Sequence, residues 1–200
     1  NHIKIHIHKD GSLSVIDVGR GMPVGKHSSG VSTLQVIFTV LHAGGKFSEA
    51  AGYKTAGGLH GVGASVVNAL SEWLVVTSYF EGTEYEMTFS NGGKDISPLK
   101  TIGKTTKRGS KVTFKPDSKL FSTVDFKYDI IQERIQESAF LLKGIHMSMV
   151  DERSNKQDEF YYEDGLIKFI EFLNEDRVAM HDALFFESNL ADINVRFAMQ

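Results

Sequence analysis

Cysteine is absent from this sequence of 200 residues, which excludes disulfides, thiolate metal sites and cysteine nucleophiles. No apolar run approaches the roughly 18 residues of a membrane-spanning helix. The sequence also has no signal-peptide pattern and no Asn-x-Ser/Thr acceptor for glycosylation. Together these absences predict a cytoplasmic protein without a membrane partner.

Positive charge is not in excess either, since the formal net charge is −3 and the isoelectric point is near 6.3. A protein of this composition has no excess of positive charge for binding nucleic acid, so any DNA binding would come from another part of the molecule. Hydrophobic residues make up 41% and charged residues 24%, as in ordinary globular domains. Both ends break off inside strand-like patterns, so we expect a fragment of one larger domain or one domain plus part of another.

Glycine is concentrated in one stretch, residues 42–63, where seven of 22 residues are glycine. An amphipathic run follows directly and predicts a helix over residues 64–73, with Val66 and Trp73 in its buried stripe. A glycine-rich loop that leads into a helix start presents free backbone N–H groups and the positive helix end to an anion. Lys46 and Lys54 add positive charge. The stretch predicts a nucleotide lid; the alternative is a flexible linker.

The second informative segment runs from Asp17 to Val24 and reads Asp-Val-Gly-Arg-Gly-Met-Pro-Val. A strand ends at Asp17, and two glycines then allow a tight turn and a close approach to a ligand. A carboxylate at this position suits an exocyclic amine such as that of adenine. An ordinary Asp-Gly turn explains the pattern equally well when the segment is taken alone.

Histidines alternate with isoleucines over residues 2–8, which predicts a half-buried strand that pairs with residues 13–17 in a hairpin. His2, His6 and His8 share one face of this strand. We expect that face to be solvated and to hold no metal, because the local sequence provides no carboxylate at a ligand spacing.

The remaining pattern alternates short strands with a few helices. We predict further helices over 33–41, 126–142 and 165–174. Strands are predicted at 74–80, 83–90, 96–102, 110–115, 146–151, 159–162 and 193–199. The basic stretch from Lys100 to Lys111 is expected to be a solvated edge hairpin.

Three motifs together resemble one family. They are Asp17-x-Gly-Arg-Gly-Met-Pro, the segment TVLHAGGKF at 39–47, and GGLHGVG at 57–63, with Tyr53-Lys54 between the last two. The chain resembles, over essentially its whole length, the ATPase region of bacterial type II DNA topoisomerases. Segments 21–27 and 138–144 are more similar to the topoisomerase IV relatives than to the gyrase relatives. The resemblance implies an α+β fold of the GHKL (Bergerat) type: an ATP-binding sandwich whose mixed, mostly antiparallel sheet is covered on one face by helices.

The resemblance also assigns a nucleotide site. Asp17 would bind the adenine amine, Gly21 and Ser110 would bind adenine through a shared water, and Met22 and Pro23 would line its slot. The ribose and phosphates would be wrapped by Gly45, Lys46, Tyr53, Gly58, Leu59, His60, Gly61, Val62 and Gly63. Val18 and Phe80 depart from the family, which has a polar residue and an arginine there, and Phe80 would weaken ligands that need the cation.

The family's general-base Glu and Mg²⁺-binding Asn would lie before Asn1, so no catalytic or metal-binding residue is assigned within this chain. ATP and Mg²⁺ are the implied cofactors, and the chain by itself is expected not to hydrolyse ATP. Residues 1–182 would form the ATP-binding domain without its first helix. Residues 183–200 would be the first strand of a truncated transducer domain.

The resemblance further implies partners for the full-length protein: DNA, a DNA-cleaving subunit in a heterotetramer, and a second copy in an ATP-dependent homodimer. An inhibitor at the adenine site, as for an antibiotic target, is the other implied ligand. Two alternatives remain open at this stage. One is another ATPase of the same fold, Hsp90-like or MutL-like, and the other is a non-enzymatic binding module.

Overall fold

The computed structural model describes residues 2–43, 60–190 and 193–200. Eleven strands lie in this part of the chain. They are β1 (His2–Ile7), β2 (Leu13–Asp17), β3 (Ser71–Phe80), β4 (Thr83–Ser90), β5 (Asp95–Ile96), β6 (Lys100–Lys104), β7 (Gly109–Pro116), β8 (His146–Asp151), β9 (Lys156–Phe160), β10 (Leu184–Leu190) and β11 (Ile193–Met199).

Four helices lie in the same described ranges: α1 (Thr33–Thr39), α2 (Gly63–Ala69), α3 (Tyr128–Leu141) and α4 (Gly165–Leu173). The hydroxyl of Ser32 accepts a hydrogen bond from the Leu34 N–H and so caps α1. None of these helices is long and apolar enough to cross a bilayer.

Nine of the strands form one sheet in the order β5-β4-β3-β7-β2-β1-β8-β9, with β6 paired to β4. All pairs are antiparallel except β1 with β8, which run parallel. Strands β10 and β11 form a separate antiparallel pair. The α+β fold class and the mixed, mostly antiparallel sheet predicted from the sequence are confirmed.

One face of the large sheet carries the core, in two clusters. The first packs α3 against β1 and β8, through Ile135 and Ala139 against Ile5, Ile7 and Met149. The second packs α1 against β3 and β4, and its buried members are Leu34, Phe38, Leu74, Val76, Met87 and Phe89. The helices therefore cover one face, because the alternation along each strand leaves the other face polar.

The helix predicted over residues 64–73 is wrong at its end. α2 stops at Ala69, and Trp73 lies in β3, where it pairs with Ser90 of β4 and Lys115 of β7. Val66, expected to be buried, is 40% exposed. A strand hydrogen-bonded on both sides outweighs the helical spacing of the apolar residues.

Three smaller expectations also change. Leu41 lies beyond the end of α1 and is exposed, and so are Leu141 and Leu142 at the end of α3. The segment after residue 182 contributes two paired strands rather than one. Whether those strands begin a second domain stays a prediction.

Candidate functional site

The site begins with the register of three neighbouring strands. Asp17 of β2 pairs with Ser110 of β7, and Ser110 pairs in turn with Ser78 of β3. Paired residues point to the same face of a sheet, so these three side chains form one polar row on the helix-covered face. Two residues further along each strand, the same face carries Val15, Val112 and Val76. The polar row therefore lies at one end of the apolar face that β2, β7 and β3 share.

Asp17 is half-buried, and its two carboxylate oxygens are held separately. Oδ1 accepts a hydrogen bond from the Gly19 N–H at 2.8 Å, and Oδ2 accepts one from the Ser110 hydroxyl. A carboxylate offers about four lone-pair positions, so both oxygens retain acceptor capacity. Asp17 is thus a fixed hydrogen-bond acceptor that can receive an N–H group from a ligand.

The turn after Asp17 brings the backbone close to the sheet. Gly21 has φ +83°, and a Cβ on it would lie 2.5 Å from the Tyr79 carbonyl oxygen. Gly109 has φ +100°, and a Cβ there would clash with the Asp17 carbonyl oxygen. Only glycine fits both positions, because a side chain would be strained and would meet main-chain atoms. Gly21, assigned from the sequence, therefore has a structural reason to be glycine.

Met22 is fixed by a residue that the sequence reasoning missed. The Ser78 hydroxyl accepts a hydrogen bond from the Met22 N–H at 2.9 Å and donates one to the Met22 carbonyl at 2.7 Å. Ser78 is completely buried. Met22 packs against the cluster that also contains Ala64 and Val67 of α2, whereas Pro23 is exposed. Met22 is therefore held through its backbone by Ser78, and its side chain packs on the same core cluster as α2.

The glycine-rich stretch is described only at its ends. Its assigned residues Gly45, Lys46, Tyr53, Gly58 and Leu59 lie outside the described residues. The two described ends meet, because the His42 Nδ1 donates a hydrogen bond to the His60 carbonyl at 2.9 Å. α2 then begins at Gly63, just after His60, Gly61 and Val62, as predicted. The two described ends of the stretch are therefore joined beside a helix start.

A second missed residue joins the helices next to the site. Asn68 of α2 is buried, and its Nδ2 donates a hydrogen bond to the Phe38 carbonyl at 2.8 Å. Ser78 could have been found from the sequence, because it continues the inward positions of Leu74 and Val76 as a polar residue in a buried strand. Asn68 gave a weaker signal, since a polar residue on an amphipathic helix usually faces water.

The histidine strand does have carboxylates beside it, contrary to the reason given against a metal there. They come from distant residues: Glu152 lies beside His6 and His8, and Glu159 beside His146, which stacks edge-on with His2. These carboxylates belong to β9 and to the turn after β8, so no local spacing could reveal them. They lie on the face opposite Asp17.

The described part of the chain has a mostly antiparallel sheet with helices on one face, a carboxylate fixed at a strand end and a helix that begins at Gly63. This arrangement defines an α+β ATP-binding domain of the GHKL type. Comparison with known proteins agrees. The family described as "Histidine kinase-, DNA gyrase B-, and HSP90-like ATPase" matches residues 1–120. The chain belongs to this family.

Individual members of the family show which proteins this chain is similar to in sequence. The chain is 52% identical over 200 residues to the B subunit of DNA topoisomerase 4 from Bacillus subtilis, covering 100% of this chain and 30% of that protein. It is 52% identical over 202 residues to the Streptococcus pneumoniae protein of the same name, covering 100% and 31%. The chain thus spans about a third of these relatives.

A solved structure shares the fold. It is the crystal structure of the 43K ATPase domain of Thermus thermophilus gyrase B in complex with an aminocoumarin. The TM-score is 0.83 and the identity 32%, over 98% of this chain and 50% of that one.

Proposed function

We propose that this chain is the ATP-binding part of the ATPase subunit of a bacterial type II DNA topoisomerase, of the topoisomerase IV kind. The observation that carries the proposal is the fixed carboxylate of Asp17 at the end of the row Ser78–Ser110–Asp17. The relatives support the finer choice, because those named here are topoisomerase IV subunits at 52% identity over the whole chain.

Recognition of the base follows from the chemistry of the row. The free lone pairs of Asp17 accept the exocyclic amine of adenine, a donor that a guanine ring does not present at the same edge. The Gly21 backbone and the Ser110 hydroxyl hold a water against the ring, and Met22 and Pro23 provide apolar contact. The helix start after His60–Gly63 offers backbone N–H groups to the phosphates.

Mg²⁺ is proposed as a companion of the nucleotide phosphates. This ion prefers oxygen ligands in octahedral geometry. In residues 2–43, 60–190 and 193–200, the clusters of potential metal ligands are rich in histidine and lie on the opposite face of the sheet. The described side chains at the nucleotide site therefore do not fit an Mg²⁺ site of their own, and the family places that ligand on an Asn in another segment.

Partners are proposed at the level of the whole protein. A type II topoisomerase of this kind acts on DNA in the cytoplasm with a DNA-cleaving subunit, as a heterotetramer that also dimerises through its ATPase subunits. Decatenation by the full-length subunit with its partner tests this assignment. An Hsp90-like or MutL-like protein would show none.

The adenine assignment has a direct test in Asp17→Asn. The amide removes one charge-assisted acceptor, which costs about 1.5–3 kcal/mol, or about 10- to 150-fold in affinity. Calorimetry with ATP, and separately with an adenine-site inhibitor, measures the loss. Asp10→Asn is the matched control, because Asp10 caps the β1–β2 turn away from the site. Equal affinities of wild type and Asp17→Asn would overturn the assignment.

A further inference from the structure

The sheet face opposite the nucleotide site carries a second cluster of polar side chains. His6 lies on β1 and His8 directly follows that strand, two positions further along the same face. β8 runs parallel beside β1, with Ile7 opposite Asp151, and the Glu152 N–H donates to the Ile7 carbonyl at 3.0 Å. The next position in this register places Glu152 beside His8. Two imidazoles and one carboxylate therefore meet because of strand pairing between distant segments.

The three side chains place their ligand atoms together. His6 Nε2 lies 3.0 Å and His8 Nδ1 lies 3.7 Å from the Oε1 of Glu152. The two imidazole rings are 4.4 Å apart between centroids, and all three ligand atoms lie within 4.8 Å of one another. In a tetrahedral site with bonds of about 2.0–2.1 Å, ligand atoms are about 3.3 Å apart. The measured separations bracket that value.

Neighbouring groups orient two of the three ligands. His8 Nε2 is 2.7 Å from the Ser14 hydroxyl, which is itself 2.8 Å from the Thr113 hydroxyl. When Nε2–H donates to Ser14, the lone pair of His8 Nδ1 faces Glu152. The Lys9 N–H donates to Oε2 of Glu152 at 3.2 Å and leaves Oε1 directed at the histidines. Such outer contacts are typical of metal-binding imidazoles and carboxylates.

His6 adds an observation that an ordinary ion pair does not explain. Its Nε2 is buried and makes no hydrogen bond, although Oε1 of Glu152 lies only 3.0 Å away. A hydrogen bond would require the carboxylate oxygen along the N–H direction. The side chains of His6, His8 and Glu152 are 32%, 24% and 36% exposed, so the cluster lies at the protein surface although this nitrogen itself is covered.

We propose that His6, His8 and Glu152 bind one divalent transition-metal ion of the Zn²⁺ class. Two imidazoles and a carboxylate suit Zn²⁺, Ni²⁺, Co²⁺ or Cu²⁺ rather than Mg²⁺ or Ca²⁺, and the exposed side leaves a fourth position for water. The ion joins β1 to the turn after β8. It therefore stabilises the sheet from the face that the nucleotide does not use.

A similar group elsewhere on this face provides an internal comparison. His2, His146 and Glu159 also lie within reach of one ion. However, the side chains of His146 and Glu159 are 40% and 61% exposed. These two side chains are more exposed to water than any of the three in the first group, so we expect the second group to bind an ion more weakly.

The test is a calorimetric titration of the purified protein with Zn²⁺ alone at pH 7.5, in a buffer that does not bind metals. We expect one ion per chain at the tight site, and at least a tenfold loss of affinity in His8→Gln and in Glu152→Gln. Ser14→Ala, which removes only the outer contact, should weaken binding by about tenfold. His146→Gln and His27→Gln are the matched controls and should leave the tight site unchanged.

Thermal unfolding provides a second readout. With Zn²⁺ at about 100 times its dissociation constant, the midpoint of wild type should rise by about 5–10 °C, and that of Glu152→Gln should not. ATP affinity equal to that of wild type would show that each variant is folded. The proposal is overturned if wild type shows no saturable binding, if Glu152→Gln binds as wild type does, or if His146→Gln abolishes the tight site.

Discussion

Asp17 and Asp151 are two carboxylates on the same face of the sheet, and their surroundings differ. Asp151 pairs with Ile7 and is only 2% exposed. Arg153 donates to Asp151 through its backbone N–H at 2.9 Å, through Nε at 3.0 Å and through a terminal nitrogen at 2.8 Å. Asp17 pairs with Ile3 and is held by the Gly19 N–H and the Ser110 hydroxyl.

The difference fits a structural role for Asp151 and the ligand-binding role that we propose for Asp17. The guanidinium hydrogen bonds lower the pKa of Asp151 and offset its burial, so its charge is compensated inside the protein. The donors named for Asp17 are an amide and a hydroxyl, which fix its direction and leave lone pairs free. A carboxylate suited to ligand binding is thus oriented by its neighbours, while some of its lone pairs stay available to a ligand.

The largest expected effect is a loss of stability when an apolar side chain on the same face as the polar row is truncated. Leu74 is completely buried and pairs with Phe114 on the same face as Ser78. Leu74→Ala should lower the free energy of unfolding by about 2–5 kcal/mol, because it removes buried methyl groups and leaves a cavity. Urea denaturation measures the loss, while the ATP affinity of the folded protein should stay within about twofold of wild type.

Val66→Ala is the control for this comparison. Val66 was predicted to be buried but is 40% exposed, so its truncation should change the unfolding free energy by less than about 0.5 kcal/mol. Equal losses in the two variants would mean that the packing of α2 and β3 is not as described.

The next largest effect is expected at Asp151, whose charge is compensated by Arg153. Arg153→Met leaves Asp151 buried without its guanidinium partner, and should cost about 1.5–3 kcal/mol of unfolding free energy at pH 7. The pKa of Asp151 is lowered in the folded state, so its stabilising contribution is present above the unfolded value of about 3.9 and is lost as pH falls through the folded value.

The stability difference between wild type and Arg153→Met should therefore shrink as pH falls from 7 towards 4 and below. Chemical denaturation at a series of pH values tests this. Arg134→Met is the matched control, because Arg134 forms an exposed ion pair with Glu137 one turn along α3. A difference that stays constant with pH would contradict the assigned role of Asp151.

Most strands could be predicted from the sequence because alternation is a local signal. The β1–β2 hairpin, the turns with left-handed Glu81, Asn91 and Asn155, and the helix start at Gly63 all follow from neighbouring residues. The end of α2 could not be predicted, because the helical spacing of apolar residues 66, 67, 70, 73 and 74 continues past Ala69 into β3. Pairing of β3 with both β4 and β7 decided between them.

The candidate site was predictable only where it is local. Asp17 and Gly21 stand in one short motif, whereas Ser78 and Ser110 reach Asp17 through strand register. Register depends on the whole hydrophobic pattern of the sheet, and no short segment contains it. The same reason explains Glu152, which meets His6 only through the parallel pairing of β1 with β8.

The smallest expected effect is on ATP affinity, when Ser78 no longer holds the turn that contains Met22. Ser78→Ala removes the hydroxyl that holds both the N–H and the carbonyl of Met22. ATP affinity should fall by about 1–2 kcal/mol, because the turn is no longer held against the polar row. Thr113→Val is the control: it removes a hydroxyl from the opposite face of β7 and should leave ATP affinity unchanged. If both variants bind ATP equally well, Met22 is positioned by packing alone, and the polar row narrows to Asp17 and Ser110.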